Sequence, residues 1–362
     1  GLWAGTGIAT LWRNLSGDHP GRYLKAAPVL GLALIPLILN GPRASRADDY
    51  SARDWAYNLL MSVEPYGVVF TNGDNDTFPL WYLQEAEGIR KDVTVIVTSY
   101  LNIDWYAKQL RDLTRPCPPG VDPEDNPTRI ICQRPYTSEG SPGAEYTTDP
   151  EGIRAAGKVP LLLQTPTTTP TRTILQLDDS TIQRVAGAVI PLQEDRSVEI
   201  GGVSALLRGG SYVYPWHQYA LAIISSSMGD RPVYFASSGN AANELGLTPY
   251  LVRQGLAYRL NPGLPAPGEE DGITELGPSP LSSVTGQWLD VERSRTLAWE
   301  VFLHRGGYPE ERDYWPDHAV LGVPSYYAWV HYSLYQAASQ DGEEEEANRN
   351  LDAAEAWARL GV

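Results

Sequence analysis

An α/β fold with a Rossmann-like, mostly parallel sheet, preceded by a transmembrane helix and followed by a C-terminal helical pair, is what this sequence predicts. Three observations carry the prediction. Between Asp48 and Thr114, two β-branched strand runs alternate with helical apolar spacing. Ala26 to Leu39 is almost purely apolar. Two alanine-rich amphipathic runs close the chain. The implied division is 1–40 for membrane segments, 41–262 for an α/β domain and 263–362 for a helical appendage.

The chain has 362 residues, enough to bury a sizeable core, and its 42% hydrophobic and 20% charged content is that of a folded protein. The formal net charge is −16, and no lysine- or arginine-rich run occurs, which excludes nucleic acid as the expected partner. Tyr (21) and Trp (11) greatly outnumber Phe (4), a usage that suits half-buried core positions, sugar-stacking surfaces and membrane interfaces.

At the N-terminal end, Leu2 to Trp12 is apolar, Arg13 to Lys25 is polar, and the Ala26–Leu39 run follows. A full span needs roughly 20 apolar residues. Tyr23, Leu24 and Asn40 bring the run close to that length, and Pro28 and Pro36 are compatible with a membrane helix. The loop before it carries Arg13, Arg22 and Lys25 against Asp18, so it is expected in the cytoplasm, with the rest of the chain outside. The first residue is Gly1, the expectation for a processed chain or a fragment, and the start lacks the pattern of a signal peptide. Cys117 and Cys132 bracket a proline-rich acidic loop and are candidates for a disulfide, which persists in an oxidising compartment. Two free thiols are the alternative. The predicted location is a bacterial inner membrane, with the folded part periplasmic.

In the α/β part, Tyr50–Val63 predicts a helix, Gly67–Thr71 a strand and Asn72–Asp76 a polar turn. Thr77 is expected to cap a helix over Phe78–Ile89, Val93–Thr98 to form the next strand, and Asn102–Asp104 to open a helix through Leu113. This spacing favours a right-handed crossover between parallel strands. Arg115–Gly157 and the Thr165–Thr173 stretch read as irregular, and Ile174–Ile200 carries short strand-like runs. Tyr214–Met228 predicts a helix, Arg231–Ala236 a third parallel strand, Gly239–Leu245 a short helix and Leu256–Leu260 a further strand. A linker over Asn261–Pro280 leads to helices over Tyr326–Ala338 and Ala347–Leu360. This pair resembles one tetratricopeptide-type unit, and its glutamate run is a solvated helix start.

The cluster Asn72-Gly73-Asp74-Asn75-Asp76-Thr77 lies at the carboxyl end of a predicted parallel strand, where open α/β sheets bind ligands. It admits three readings. Gly73, Asn75, Asp76 and Thr77 can form a turn and cap a helix. The cluster can share a polar ligand site with Ser99, Asn102, Asp104, Ser237 and Asn240 on neighbouring loops. Asp74 and Asp76 can hold a divalent metal against a nucleotide sugar, since paired carboxylates suit Mg²⁺ or Mn²⁺. No other cofactor is implied: no paired histidines, HExxH, GxSxG, Walker A or GxGxxG pattern occurs. Asp54 beside Arg53 reads as a helix-surface charge.

The wording DYSARDWAYNLL, VVFTNGDNDTFPLWYLQEAEGIRKDVTVIVTSYLN and DWYAKQL between Asp49 and Leu110 resembles a family of large bacterial multi-pass membrane proteins. These carry a domain of unknown function and are related to the transmembrane protein O-mannosyltransferase, of the multi-span glycosyltransferase class. RPVYFA and GLAYRLNP resemble later landmarks of the same family. The resemblance implies a lipid-linked sugar donor and a catalytic membrane part outside this chain, so no catalytic residue carries over. The expected role is an accessory domain binding an acceptor polypeptide or glycan, with the N-terminal membrane domain of the same protein as partner. The alternatives are a metal-dependent nucleotide-sugar enzyme and a non-enzymatic interaction module.

Overall fold

The computed structural model describes residues 2–16, 27–45, 47, 49–125, 131–134, 144–147, 159–162, 170–267, 272–277, 287–312, 314–316 and 318–361. It divides into two compact units, Gly1–Asp49 and Tyr50–Val362.

In the first unit, α1 spans Leu2–Ser16, a 3₁₀ turn Ala27–Ala33 and α2 Leu34–Ala44. The expected transmembrane helix is not found. Among the described residues, no helix is long and apolar enough to cross a membrane. The apolar run is divided between the 3₁₀ turn and α2, and Pro36, which has no N–H to donate, sits in the first turn of α2 where it is tolerated. At 15 and 11 residues, α1 and α2 fall short of the roughly 20 that a span requires. Most of the expected basic loop, 17–26, lies outside the described residues.

The second unit is built on a mixed seven-stranded sheet in the order β12-β13-β10-β11-β9-β1-β2. The strands are β1 (Val68–Thr71), β2 (Thr94–Val97), β9 (Val233–Ala236), β10 (Leu251–Gln254), β11 (Ala257–Leu260), β12 (Ile273–Leu276) and β13 (Gln287–Asp290). β1 runs parallel to β2 and β9, with Phe70 opposite Ile96 on one side and Phe235 on the other. The expected mostly parallel sheet is therefore limited to these three strands and the β10–β13 pair. β9–β11, β10–β11 and β12–β13 are antiparallel. The cause is local. Gly255, at φ +59, and Leu256 make a two-residue turn that folds β11 back onto β10.

The parallel part follows the sequence closely. α3 (Ser51–Ser62) leads to β1, α4 (Asp74–Ala86) crosses to β2, and α5 (Asp104–Leu113) follows a 3₁₀ turn at Thr98–Asn102. α7 (Pro215–Ser227) precedes β9, with Pro215 at its first position, α8 (Ala241–Glu244) follows β9, and α9 (Val291–Thr296) follows β13. Before it come α6 (Asp179–Ala186), capped by Asp178, and the hairpin of β6 (Arg196–Ile200) with β7 (Val203–Leu207). β5 (Ile190–Leu192) pairs with β8 (Ser211–Val213), and β3 (Ala144–Thr147) pairs in parallel with β4 (Val159–Leu162). The rest of the region expected to be irregular, 126–130, 135–143, 148–158 and 163–169, lies outside the described residues.

Alternation along the strands creates two cores, one on each sheet face. Val68, Phe70, Val233 and Phe235 face a core completed by α5 and α7. Val69, Tyr234 and Ala236 face another, completed by α3, α4 and the C-terminal helices α10 (Gly322–Asp341) and α11 (Glu344–Leu360). Trp357 of α11 stacks on Tyr327 of α10 at 4.4 Å, and Tyr327 meets Trp55 of α3 edge-on at 5.9 Å. The helical pair is thus packed into the sheet's core, with Glu344, Glu345 and Glu346 in the first turn of α11. Asp54 is not a surface charge: it is buried and paired with Arg305. The Cys117–Cys132 disulfide is formed, with 2.05 Å between the sulfurs.

Candidate functional site

The carboxyl ends of β1, β2 and β9 form one rim. β1 lies between β2 and β9, so its loop and the β9 loop leave the sheet where open α/β sheets form ligand crevices. Asp76 closes this crevice. Its Oδ1 accepts from the Gly73 N–H at 2.8 Å, and its Oδ2 accepts from the Asn72 N–H at 2.8 Å and the Ser238 hydroxyl at 2.6 Å. A carboxylate in the first turn of α4 also meets the favourable end of the helix dipole. The predicted polar turn is therefore largely the first turn of α4. Gly73, in extended conformation at φ −155, takes the cap position expected of Thr77. Thr77 is buried and pairs with the Thr71 hydroxyl at 2.7 Å, while the Thr98 hydroxyl donates to the Thr71 carbonyl at 2.7 Å.

The predicted ligand residues do not share one pocket. Asn72, Asp74, Asn75 and Asp76 line a cavity of about 220 Å³ with Ser238, Trp55 and Tyr326. Burial pushes the Tyr326 hydroxyl above its ordinary range. Ser237 donates to the Leu256 carbonyl at 2.7 Å and lines a different cavity of about 730 Å³. Asn102 binds locally to the Ser99 carbonyl and accepts from the Trp216 N–H at 3.3 Å, tying the β2 loop to α7. Asp104 pairs with Lys108 one turn on, and Asn240 with Glu244. Among the described residues, no three His, Cys, Asp or Glu side chains gather as a metal cage.

A row of aromatic rings occupies the rim instead. Phe78 contacts Trp81 at 5.8 Å, Trp81 contacts Tyr100 at 6.4 Å, Tyr100 contacts Tyr106 at 5.6 Å, and Tyr106 contacts Trp105 at 5.7 Å. Phe78 and Trp105, at the two ends, are 46% and 53% exposed. Tyr106 is anchored below them by the Val97 N–H at 2.9 Å, and burial pushes its hydroxyl far up. Beyond Asn102, Trp216 stacks on His217 at 3.8 Å, and Tyr214 and Tyr212 continue the row. These four residues line a cavity of about 780 Å³ with Asn243 and Glu244. Burial holds His217 below its usual range, and its neutral Nδ1 accepts the Tyr214 N–H at 3.0 Å. Sequence reasoning missed this cavity and the Ser238 contact. The available signal was the aromatic density of SYVYPWHQY ahead of a proline-started helix.

A family model described as TMEM260-associated domain 2 matches residues 52–120. The match spans α3 to α5 and includes Asn72–Thr77, Phe78, Trp81, Tyr100 and Trp105. It falls on the stretch that carries the resemblance to relatives of the transmembrane O-mannosyltransferase and is consistent with it. No curated protein and no solved structure matches the chain.

Proposed function

We propose that this chain is an extracytoplasmic accessory module of a membrane protein glycosyltransferase of the O-mannosyltransferase type, and that its aromatic rim holds the acceptor polypeptide. The observation that carries this reading is the continuous row from Phe78 to Trp105, exposed at both ends over the carboxyl ends of the parallel strands. Exposed aromatic patches of this kind serve association surfaces, because rings bury large area with few rotatable bonds. The family match on the same residues supports a link to a glycosyltransferase-like membrane protein. The Cys117–Cys132 bridge supports an oxidising, extracytoplasmic setting. The metal-dependent alternative through Asp74 and Asp76 gains no support from the geometry, since both Asp76 oxygens already accept protein donors.

The test is Phe78→Ser with Trp105→Ser in the full-length protein. Both side chains are about half exposed, so thermal stability should change little. Acceptor glycosylation should fall about tenfold, the loss of about 1.4 kcal/mol of acceptor binding. Unchanged transfer by the folded double variant sinks the acceptor-binding reading.

A further inference from the structure

Three arginines are buried among the described residues, Arg90, Arg231 and Arg253. Arg90 is paired with Asp92 at 3.0 Å, and Arg231 with Asp230 at 3.5 Å. Arg253, 5% exposed, pairs with no carboxylate among the described residues. Its Nη2 meets the Tyr258 hydroxyl, its guanidinium lies 4.4 Å from the Tyr258 ring centre, and its Nη1 has no hydrogen-bond partner. A buried guanidinium without a counter-charge carries a desolvation cost that a ring face and one hydroxyl offset only in part. Unpartnered buried nitrogens also occur on Arg53, Arg231 and Arg293; at Arg253 the unpartnered Nη1 coincides with the lack of a counter-charge among the described residues, and such a group calls for an explanation.

Arg253 lines the cavity of about 730 Å³ that begins at Ser237, at the carboxyl end of β9. Its volume lies within the range of small-molecule sites. Leu251, Leu264 and Trp288 supply apolar wall, and Ser237, Asn243 and Thr248 supply hydrogen-bonding groups. The register places Arg253 directly opposite Tyr258 across the β10–β11 pair, so two rigid strands fix the guanidinium and the ring that supports it.

We propose that this cavity is a binding site for a small molecule carrying an oxyanion, a carboxylate or a phosphate, on an apolar or ring-shaped body. The anion pairs with the Arg253 guanidinium, whose Nη1 is unpartnered and whose Nη2 is shared with the Tyr258 hydroxyl, and the body rests against Trp288 and Leu264. The cavity is far larger than a bare phosphate, so the body contributes to selection. None of the ring residues from Phe78 to Trp105 lines this cavity, and the proposal does not depend on the acceptor-binding reading.

The experiment uses the whole chain with inorganic phosphate and benzoate as probes, read by thermal melting and by tryptophan fluorescence. Each probe that fits should raise the melting temperature by about 1–2 °C at about 50 mM, with benzoate also changing the fluorescence. Arg253→Leu should abolish the shift, and Arg253→Lys should retain part of it. A response to phosphate alone assigns a phosphate ligand, and a response to benzoate alone a carboxylate. Soaking crystals with 4-iodobenzoate gives a readout that needs no variant: the iodine should appear in the cavity with the carboxylate on Arg253. No shift with either probe, an equal shift in Arg253→Leu, or iodine found only elsewhere would overturn the proposal.

Discussion

Arg90 and Arg253 are buried to nearly the same depth, 3% and 5% exposed, yet one is saturated with partners and the other is not. Arg90 donates from Nη1 to the Leu60 and Val63 carbonyls at 2.7 and 2.8 Å, and from Nε and Nη2 to the two Asp92 oxygens at 3.0 Å each. Asp92 Oδ2 also accepts the Tyr66 N–H at 3.0 Å. This knot joins the end of α3 to the turn entering β2 and holds Arg90 and Tyr66 at positive φ, 53° and 61°, which non-glycine residues rarely adopt. Arg253 contacts one tyrosine and an open cavity. Burial alone therefore does not separate architecture from binding. What separates them is whether the protein itself supplies every partner.

Asp92→Ala leaves the Arg90 charge buried and unpaired and frees the Tyr66 N–H. Breaking one partner of a buried pair costs about 3–5 kcal/mol. The denaturant midpoint of the variant should fall accordingly, with little change in the slope of the transition. A loss below about 1 kcal/mol would show that water or rearrangement replaces the knot and that Arg90 is not architectural.

His331 offers a third way to bury a basic group, by neutralising it. It lies in α10, 3% exposed, against Trp299 at 4.9 Å and near the Asn350 side-chain oxygen at 3.4 Å. Burial lowers its pKa to about 4, with the Asn350 contact opposing the shift. The unfolded chain therefore binds the extra proton between about pH 6.5 and 4, so stability is fully present above the ordinary histidine pKa and is lost as the pH falls. From pH 7.5 to 5 this one group should remove about 2 kcal/mol. His331→Gln, which cannot titrate, should flatten the stability profile over that window. An equally steep profile in the variant would place the proton elsewhere.

β1, α4, β2, α5 and α7 were readable because β-branched runs and helical spacing alternate there with clear turn residues. The antiparallel β10–β11 turn, the edge strand β12 and its neighbour β13 were not. Residues 273–276 sit in a proline- and glycine-rich segment whose composition reads as linker, and their strand character comes from pairing with β13. α6 was hidden by TILQL, an apolar run that ends in the Asp178 cap instead of forming a strand. At the candidate site, the NGDND cluster was correctly located at a strand's carboxyl end, but its partner Ser238 lies 162 residues away, beyond any local pattern. The rim aromatics Phe78 and Trp105 were visible only as letters in a landmark. Arg253 carried a usable signal, a lone arginine after the apolar Leu251-Val252 of a strand. A charge in such a position demands a counter-charge, and the sequence could not show that no carboxylate among the described residues meets it.

Arg253→Leu removes a buried charge that has no counter-charge, and it also removes the contact with the Tyr258 hydroxyl. The relief of desolvation and the lost contact oppose each other, and apolar replacements of buried charges are often neutral or stabilising. In the ligand-free chain the variant should unfold within about 1 kcal/mol of the parent, on either side. The same substitution at Arg90 should be strongly destabilising, because it strands Asp92 and removes the guanidinium donor from the Leu60 and Val63 carbonyls, of which Leu60 keeps the Val63 N–H. Measuring both variants under identical denaturant conditions gives a difference of several kcal/mol between residues of equal burial. A loss of about 3 kcal/mol at Arg253 would place it in the same architectural class as Arg90, since a guanidinium held only to receive a ligand has no such stabilisation to lose.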